Sequence, residues 1–275
     1  MTWSRRAVVG GLLAALPAGR ALAAAPRLKL SGRYVQGGFA IGRTAPRAEY
    51  SLDGEVMGKA SAKGLFVVGF DRDAMPSARI AVKASGGRTE RTIAVAPGDF
   101  DVQRIDGLPE DQVTPSDEAL LARIAREAER KAAGFASNLD RDDFAGGFVM
   151  PLQATRVSSR FGGQRILNGV PSRPHYGADM AAPIGTPVHA PAAGVVAFAE
   201  TGLHFEGGLI MIDHGQGLVS LYLHLSEVAV QPGQTLTRGE RIGAVGAEGR
   251  ATGPHLCWRM KWRNRNLDPS LLVTT

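Results

Sequence analysis

Residues 174–179 read Pro-His-Tyr-Gly-Ala-Asp. His175 and Asp179 offer an imidazole and a carboxylate close enough along the chain to hold one ion. Pro174 and Gly177 argue against a helix here, so the stretch is not the helical His-Glu-x-x-His arrangement and brings no matching general-base Glu. Working outward, His224 lies in Tyr-Leu-His-Leu-Ser, and His255 and Cys257 lie in Thr-Gly-Pro-His-Leu-Cys-Trp. On a strand, residues 255 and 257 point the same way because side chains alternate faces with period two. The set reads as a metal-hydrolase site. Zinc takes N, O and S donors in a tetrahedron, and a catalytic site uses three protein ligands and leaves one position to water.

A wider framework surrounds these residues. It comprises V-S-S-R-F-G-G-Q-R from Val157 to Arg165, A-P-I-G-T-P-V-H-A-P-A-A-G-V-V from Ala182 to Val196, I-D-H-G-Q-G-L from Ile212, and P-G-Q-T-L-T-R-G-E-R-I-G from Pro232. Over roughly residues 148–272 the chain resembles the lysostaphin/LytM-type zinc metalloendopeptidases, peptidoglycan hydrolases of the duplicated-hybrid-motif fold. The resemblance implies that His175 and Asp179 are metal ligands, as the His and Asp of H-x-x-x-D. It implies catalytic roles for His224 in Y-x-H-L-S and for His255, the first position of H-x-H, beside the metal-bound water. The third ligand position holds Cys257 where the family has His. One Zn²⁺ per chain is the implied cofactor.

Cys257 admits three readings. Thiolate is a good zinc ligand, with Zn–S about 2.3 Å, and zinc deprotonates a bound thiol. It adds a second negative charge, which weakens the ion as a Lewis acid. The second reading is a degenerate relative that keeps only the fold. The third is a small buried thiol packed as a hydrophobe. The four other intact positions favour the ligand. So does the cysteine count: there is one Cys in 275 residues, hence no intrachain disulfide, and an exported thiol risks oxidation unless something occupies it.

Export is expected from residues 1–25. Ser4-Arg5-Arg6, an apolar run from Ala7 to Pro17, Arg20 and Ala21-Leu22-Ala23-Ala24-Ala25 make a signal peptide with an A-x-A cleavage site after Ala23 or Ala25. The paired arginines give it a twin-arginine character, although Val8-Val9 replaces the usual Phe-Leu. The apolar run is about 11 residues where a membrane span needs about 20, so stable membrane insertion is not expected after cleavage.

Hydrophobic residues make up 44% and charged residues 21%, enough apolar content for a sizeable core. Net charge is +6 and drops by three to +3 when Arg5, Arg6 and Arg20 leave with the signal. A mild positive balance suits an anionic polymer such as a cell wall and is no nucleic-acid signature.

The expected fold class is mainly β. Residues 26–108 form a β-rich N-terminal domain resembling a small sandwich, with strand-like runs at 34–41, 64–70, 80–84 and 92–95. Residues 109–147 form a helical linker: the stretch from Thr114 to Glu118 carries N-cap chemistry, and an amphipathic helix follows from Ala119 to about Ala133, ending by Gly134. Residues 148–275 form the LytM-type antiparallel β-sheet domain. Strands are expected at 194–198, 208–212, 218–223 and 241–245, with His224 at a strand end. His189 and His214 read as structural and His204 as a groove-rim residue, because an unassigned histidine is more often a satisfied hydrogen-bonder than a ligand. Some relatives cap the zinc with a pro-segment residue; Asn138 is the position to weigh here, against its reading as a turn residue.

The resemblance thus implies a zinc-dependent endopeptidase that hydrolyses peptide cross-links of bacterial peptidoglycan, in the periplasm. The cross-links are either D-Ala–diaminopimelate bonds or glycine-rich bridges, and the signal favours the former. The alternative is a catalytically weak or inactive LytM-type protein acting as a wall-binding module or amidase activator with divisome or amidase partners. A metal-dependent hydrolase of a non-wall peptide would share the site and differ in groove shape.

Overall fold

The computed structural model describes residues 24–153 and 156–274. Apart from Ala24 and Ala25, the expected signal segment lies outside the described residues. Among the described residues the chain is mostly β, with one long helix between N-terminal strands and a C-terminal sheet. No described helix is long and apolar enough to cross a membrane.

Two antiparallel sheets build the N-terminal part. Lys29–Gly32, Phe39–Arg43 and Leu65–Gly69 form the first, and Glu55–Lys59, Glu49–Leu52, Ser77–Ala84 and Gly87–Ala94 the second, each in that order. Period-two patterning explains their stacking: Ala78, Ile80 and Val82 are buried while Ser77, Arg79 and Lys83 are exposed. Tyr50 of the second sheet stacks on Phe66 of the first, with ring centroids 4.5 Å apart.

In the C-terminal part a sheet runs in the order Thr235–Leu236, Gly194–Leu203, Gly207–Asp213, Leu218–Val228, His255–Trp262, Gly177–Ala181, Val157–Ser159, with Pro187–His189, Arg241–Val245 and Arg265–Leu267 paired off this path. The strand His255–Trp262 alternates strictly. Leu256, Trp258, Met260 and Trp262 are buried in the main core, and His255, Cys257, Arg259 and Lys261 share the opposite face. Truncating either tryptophan to Ala costs about 3–5 kcal/mol. Arg241–Val245 has the bounds expected from sequence, whereas most other strands run longer.

Three elements depart from expectation. The helix runs Glu118–Phe135, with Asp117 as its cap accepting from the Leu120 N–H at 2.8 Å. It continues through Gly134, because that glycine packs where a Cβ would lie 2.8 Å from Met211 Sδ and 2.9 Å from Phe198 Cβ. Close approach to the sheet, not helix termination, accounts for it. His224 lies inside the strand Leu218–Val228 rather than at its end, in a left-handed conformation with φ 65°. Finally, Val102–Ile105 pairs in parallel with Gln164–Leu167, tying the end of the N-terminal strands to the C-terminal part.

Candidate metal centre and groove

Strand register brings the site together. Asp179 on Gly177–Ala181 is the cross-strand partner of Cys257, and His255 is the partner of Ala181. His175 precedes this strand and is pinned through its backbone: its N–H donates to Gly163 O at 2.8 Å and its C=O accepts from the Gly162 N–H at 2.7 Å. Gly162 has φ 90°, which explains the Phe-Gly-Gly of the sequence. Gly177, between the two, is needed for space. A Cβ there would lie 2.9 Å from Cys257 Sγ and 2.8 Å from Arg259 Cγ.

His175 Nε2 lies 3.0 Å from Asp179 Oδ1 and 3.4 Å from Cys257 Sγ, and one donor atom from each of the three residues falls within 4.8 Å of the others. The hydrogen bonds on the far side of His175 set its tautomer. Ser159 Oγ donates to the Gln103 side-chain oxygen at 3.2 Å, so His175 Nδ1–H, at 3.0 Å, donates to Ser159 Oγ. Nε2 then presents a lone pair to Asp179. Among the described residues, the buried Asp179 Oδ1 has no hydrogen-bond donor. Two lone pairs and a sulfur facing one another in a buried space are a cation's donor set, and N, O, S donors suit zinc. The residues present therefore fit the metal ion that the resemblance implies.

The titrating groups are poised to match. Burial pushes the Asp179 carboxyl up, but the Arg165 guanidinium, 3.4 Å from its Oδ2, pulls the other way, and the carboxyl lies well below the usual carboxylate range. Burial keeps His175 neutral, outweighing the pull of Asp179. Burial, with help from Asp179, pushes the Cys257 thiol up to about 12, so without an ion it keeps its proton.

His224 and His255 share one arrangement. His224 Nδ1 is 2.8 Å from Glu248 O and His255 Nδ1 is 2.8 Å from Gly253 O, so each ring donates there and keeps Nε2 as an acceptor. The rings are 4.7 Å apart, and His255 Nε2 is 3.8 Å from Asp179 Oδ1. Burial first, then the proximity of His255, lowers His224 to about 3. The left-handed backbone of His224 is anchored by its N–H on Glu206 O at 2.8 Å. Glu206 in turn accepts from Lys131 of the long helix at 2.6 Å.

These five residues line a groove of about 880 Å³. Its walls carry Arg165, Arg173, Arg250, Arg259 and Lys261 against Asp101, Asp179 and Glu206, so it is cationic. A segment of the N-terminal part spans it. After Val102–Ile105 the chain is held at one wall by Asn168, whose side chain bonds the Leu108 N–H and C=O. It then reaches the other wall, where His204 and Arg250 bond Asp111 O and Gln112 O at 3.2 Å each.

The remaining histidines lie outside this set. His214 is buried between Ala193 O and Ser220 Oγ at 2.6 and 2.7 Å, and His189 sits in the strand Pro187–His189. Asn138 faces Gly217 in the turn after the helix and does not line the groove. Sequence reasoning missed Ser159, Arg165, Gln103 and Arg259. Ser159 and Arg165 lay in a recognised framework stretch, and Arg259 is signalled by period two from Cys257. Gln103 has no local signal, since its place follows from the parallel pairing.

Residues 173–269 match the model of peptidase family M23. The peptidoglycan DD-endopeptidase ShyA of Vibrio cholerae is 44% identical over 113 residues, 40% of this chain and 26% of that protein. The DD-carboxypeptidase/endopeptidase Mpg of Neisseria meningitidis is 42% identical over 125 residues, 45% of this chain and 29% of that protein. The chain thus matches under a third of the length of these curated relatives. A crystal structure from Pseudomonas aeruginosa described as a peptidase M23 covers far more: 30% identity and a TM-score of 0.63 over 87% of this chain and 94% of that one. With the family-model match and this near full-length likeness together, the chain belongs to peptidase family M23.

Proposed function

We propose that this protein is a zinc-dependent endopeptidase that hydrolyses peptide cross-links of peptidoglycan. The observation that carries the reading is the convergence of His175 Nε2, the partnerless Asp179 Oδ1 and Cys257 Sγ, faced by the Nε2 acceptors of two further histidines in an open groove. His175, Asp179 and Cys257 would hold the ion; when bound, zinc polarises a scissile carbonyl and makes water a better nucleophile at neutral pH. His224 and His255 are the catalytic pair. Each is oriented by a backbone carbonyl at Nδ1, so its Nε2 takes a proton from the attacking water or returns it to the departing amine. The ring that has taken the water's proton also hydrogen-bonds the developing oxyanion.

Substrate chemistry follows from the groove. Its excess of Arg and Lys suits a strand with free carboxylates, which favours D-Ala–diaminopimelate cross-links over glycine bridges. The names of the Vibrio and Neisseria relatives agree with this. Residues 1–25 serve as a twin-arginine-type signal, residues 26–108 and 109–147 position the catalytic part formed by 148–275, and the site of action is the periplasm.

The test is elemental analysis of protein purified under reducing conditions, followed by digestion of purified diaminopimelate-type peptidoglycan and mass spectrometry of the products. Near one zinc per chain with conversion of cross-linked dimers to monomers is the expected result. Zinc with no cleavage of any cross-link would overturn the endopeptidase reading, and absence of zinc after add-back would overturn the metal reading.

A further inference from the structure

Arg259 follows Cys257 by two residues and shares its face of the strand His255–Trp262. Its Nε donates to Cys257 Sγ at 3.3 Å. Among the described residues it forms no ion pair with a carboxylate, and it is only partly exposed on the groove wall. A second guanidinium adjoins the donor set: Arg165 Nη2 lies 3.4 Å from Asp179 Oδ2. Each anionic donor therefore has its own guanidinium. Gly177 makes the approach possible, since any larger residue would meet both Cys257 Sγ and Arg259 Cγ.

We propose that Arg259 is the charge partner and positioning residue of Cys257: it aims the sulfur at His175 and Asp179 and offsets the second negative charge that a thiolate brings to the site. This rests on the zinc reading given under Proposed function. A site with neutral His, Asp and thiolate carries two negative charges on its donors. A guanidinium at the sulfur stabilises the thiolate after its proton has left to solvent on metal binding. With neutral imidazole in place of the sulfur, the same guanidinium would face a divalent cation with no anion between them. Cys257 and Arg259 are thus a matched pair, and replacing Cys257 by the more familiar histidine alone should not restore an ordinary site.

The experiment is a double-mutant cycle on zinc affinity, read by competition with a chromophoric chelator on the full chain under reducing conditions. Arg259→Gln in the Cys257 background should weaken zinc binding about tenfold or more, while Arg259→Lys should retain most of the affinity. Cys257→His should bind zinc more weakly than wild type. Adding Arg259→Gln to Cys257→His should tighten binding, so the same substitution changes sign with the ligand. In cobalt-loaded protein, Arg259→Gln should also shift the sulfur-to-metal charge-transfer band. A purely structural role predicts the same sign in both backgrounds, and that result, or no effect of Arg259→Gln, overturns the proposal. Thermal unfolding of the metal-free variants identifies any that fail to fold; if the double variant does, the comparison of Gln with Lys at 259 decides. Wild-type protein that binds no zinc would overturn the metal reading and this one together, whereas zinc-binding wild type with a neutral Arg259→Gln removes the pairing alone.

Discussion

Asp179 and Cys257 are register partners on adjacent antiparallel strands, and Cys257 is paired on its other side with Leu223. Both donors therefore stand on hydrogen-bonded strands inside the sheet. A one-residue slip would turn Asp179 into the core and destroy the donor set. Only His175 arrives from outside a strand, and its backbone is clamped on Gly162 and Gly163.

Removing the sulfur should remove most of the metal. Cys257→Ser is expected to reduce bound zinc from near one to well below half an ion per chain after dialysis. Its affinity should fall by more than the roughly 10–100-fold that the loss of a supporting hydrogen bond costs. Cobalt-loaded wild type should show a thiolate charge-transfer band that the Ser variant lacks. Full zinc and an unchanged spectrum in Cys257→Ser would show that the ion is held otherwise.

His224 should behave differently from the three donors. Because its φ of 65° is a conformation that Asn tolerates well, His224→Asn tests the ring without adding backbone strain. Turnover on cross-linked muropeptides should fall about 10²–10⁴-fold, the usual worth of a positioned acid–base group, with zinc content unchanged. Loss of zinc instead would mean that His224 is a ligand.

Much of the site was legible in the sequence because its physics is local. The alternation in His255-Leu-Cys-Trp-Arg-Met-Lys-Trp262 separates a buried tryptophan face from a groove face at sight, and the Phe-Gly-Gly and His-x-Gly-x-Asp spacings encode a clamp and a close approach. Non-local features were not legible. Gly134 reads as a helix terminator by its neighbours but is a contact with Met211 and Phe198, which come from strands far along the chain. The parallel pairing of Val102–Ile105 with Gln164–Leu167 leaves no signature in either segment, so neither Gln103 behind His175 nor the span across the groove could be foreseen. The left-handed His224 was hidden because a strand-like run of hydrophobic residues surrounds it.

Acid should destabilise the metal-free protein earlier than ordinary carboxylate titration would. In the unfolded chain His224 takes up a proton near 6.5, but in the fold it does so only at about 3. The unfolded state binds more protons between these values, so stability rises with pH there. The contribution is full above about 6.5 and is lost as pH falls toward 3, and the lowered His175 acts in the same direction. At 1.36 kcal/mol per unit, His224 alone accounts for a loss of about 2 kcal/mol between pH 6.5 and 5. Asp179, whose carboxyl is lowered, adds its loss below 3.8. Urea unfolding in chelator at pH 7 and pH 5 measures this, and His224→Asn should flatten the difference. Equal stability of the wild type at both values would contradict the buried, neutral His224.

The segment that crosses the groove should restrain access of a polymeric substrate. Its residues Asp106, Gly107, Pro109 and Glu110 are exposed, and its hold on one wall rests on the Asn168 side chain through two hydrogen bonds to Leu108, at 3.1 Å from the N–H and 2.7 Å to the C=O. Exposed bonds of this kind are worth about 1 kcal/mol together, so losing them shifts an opening equilibrium by roughly fivefold. Asn168→Gly keeps the positive φ of 47° available while removing the side chain. It should raise turnover on intact sacculi by a few-fold, leave zinc content unchanged, and speed protease nicking between residues 106 and 110. Small soluble muropeptides, which need less of the groove, should gain less. Faster nicking with no gain on sacculi would mean that the segment opens without gating the groove, and its role would then be confined to holding Gln103 and Ser159 behind His175.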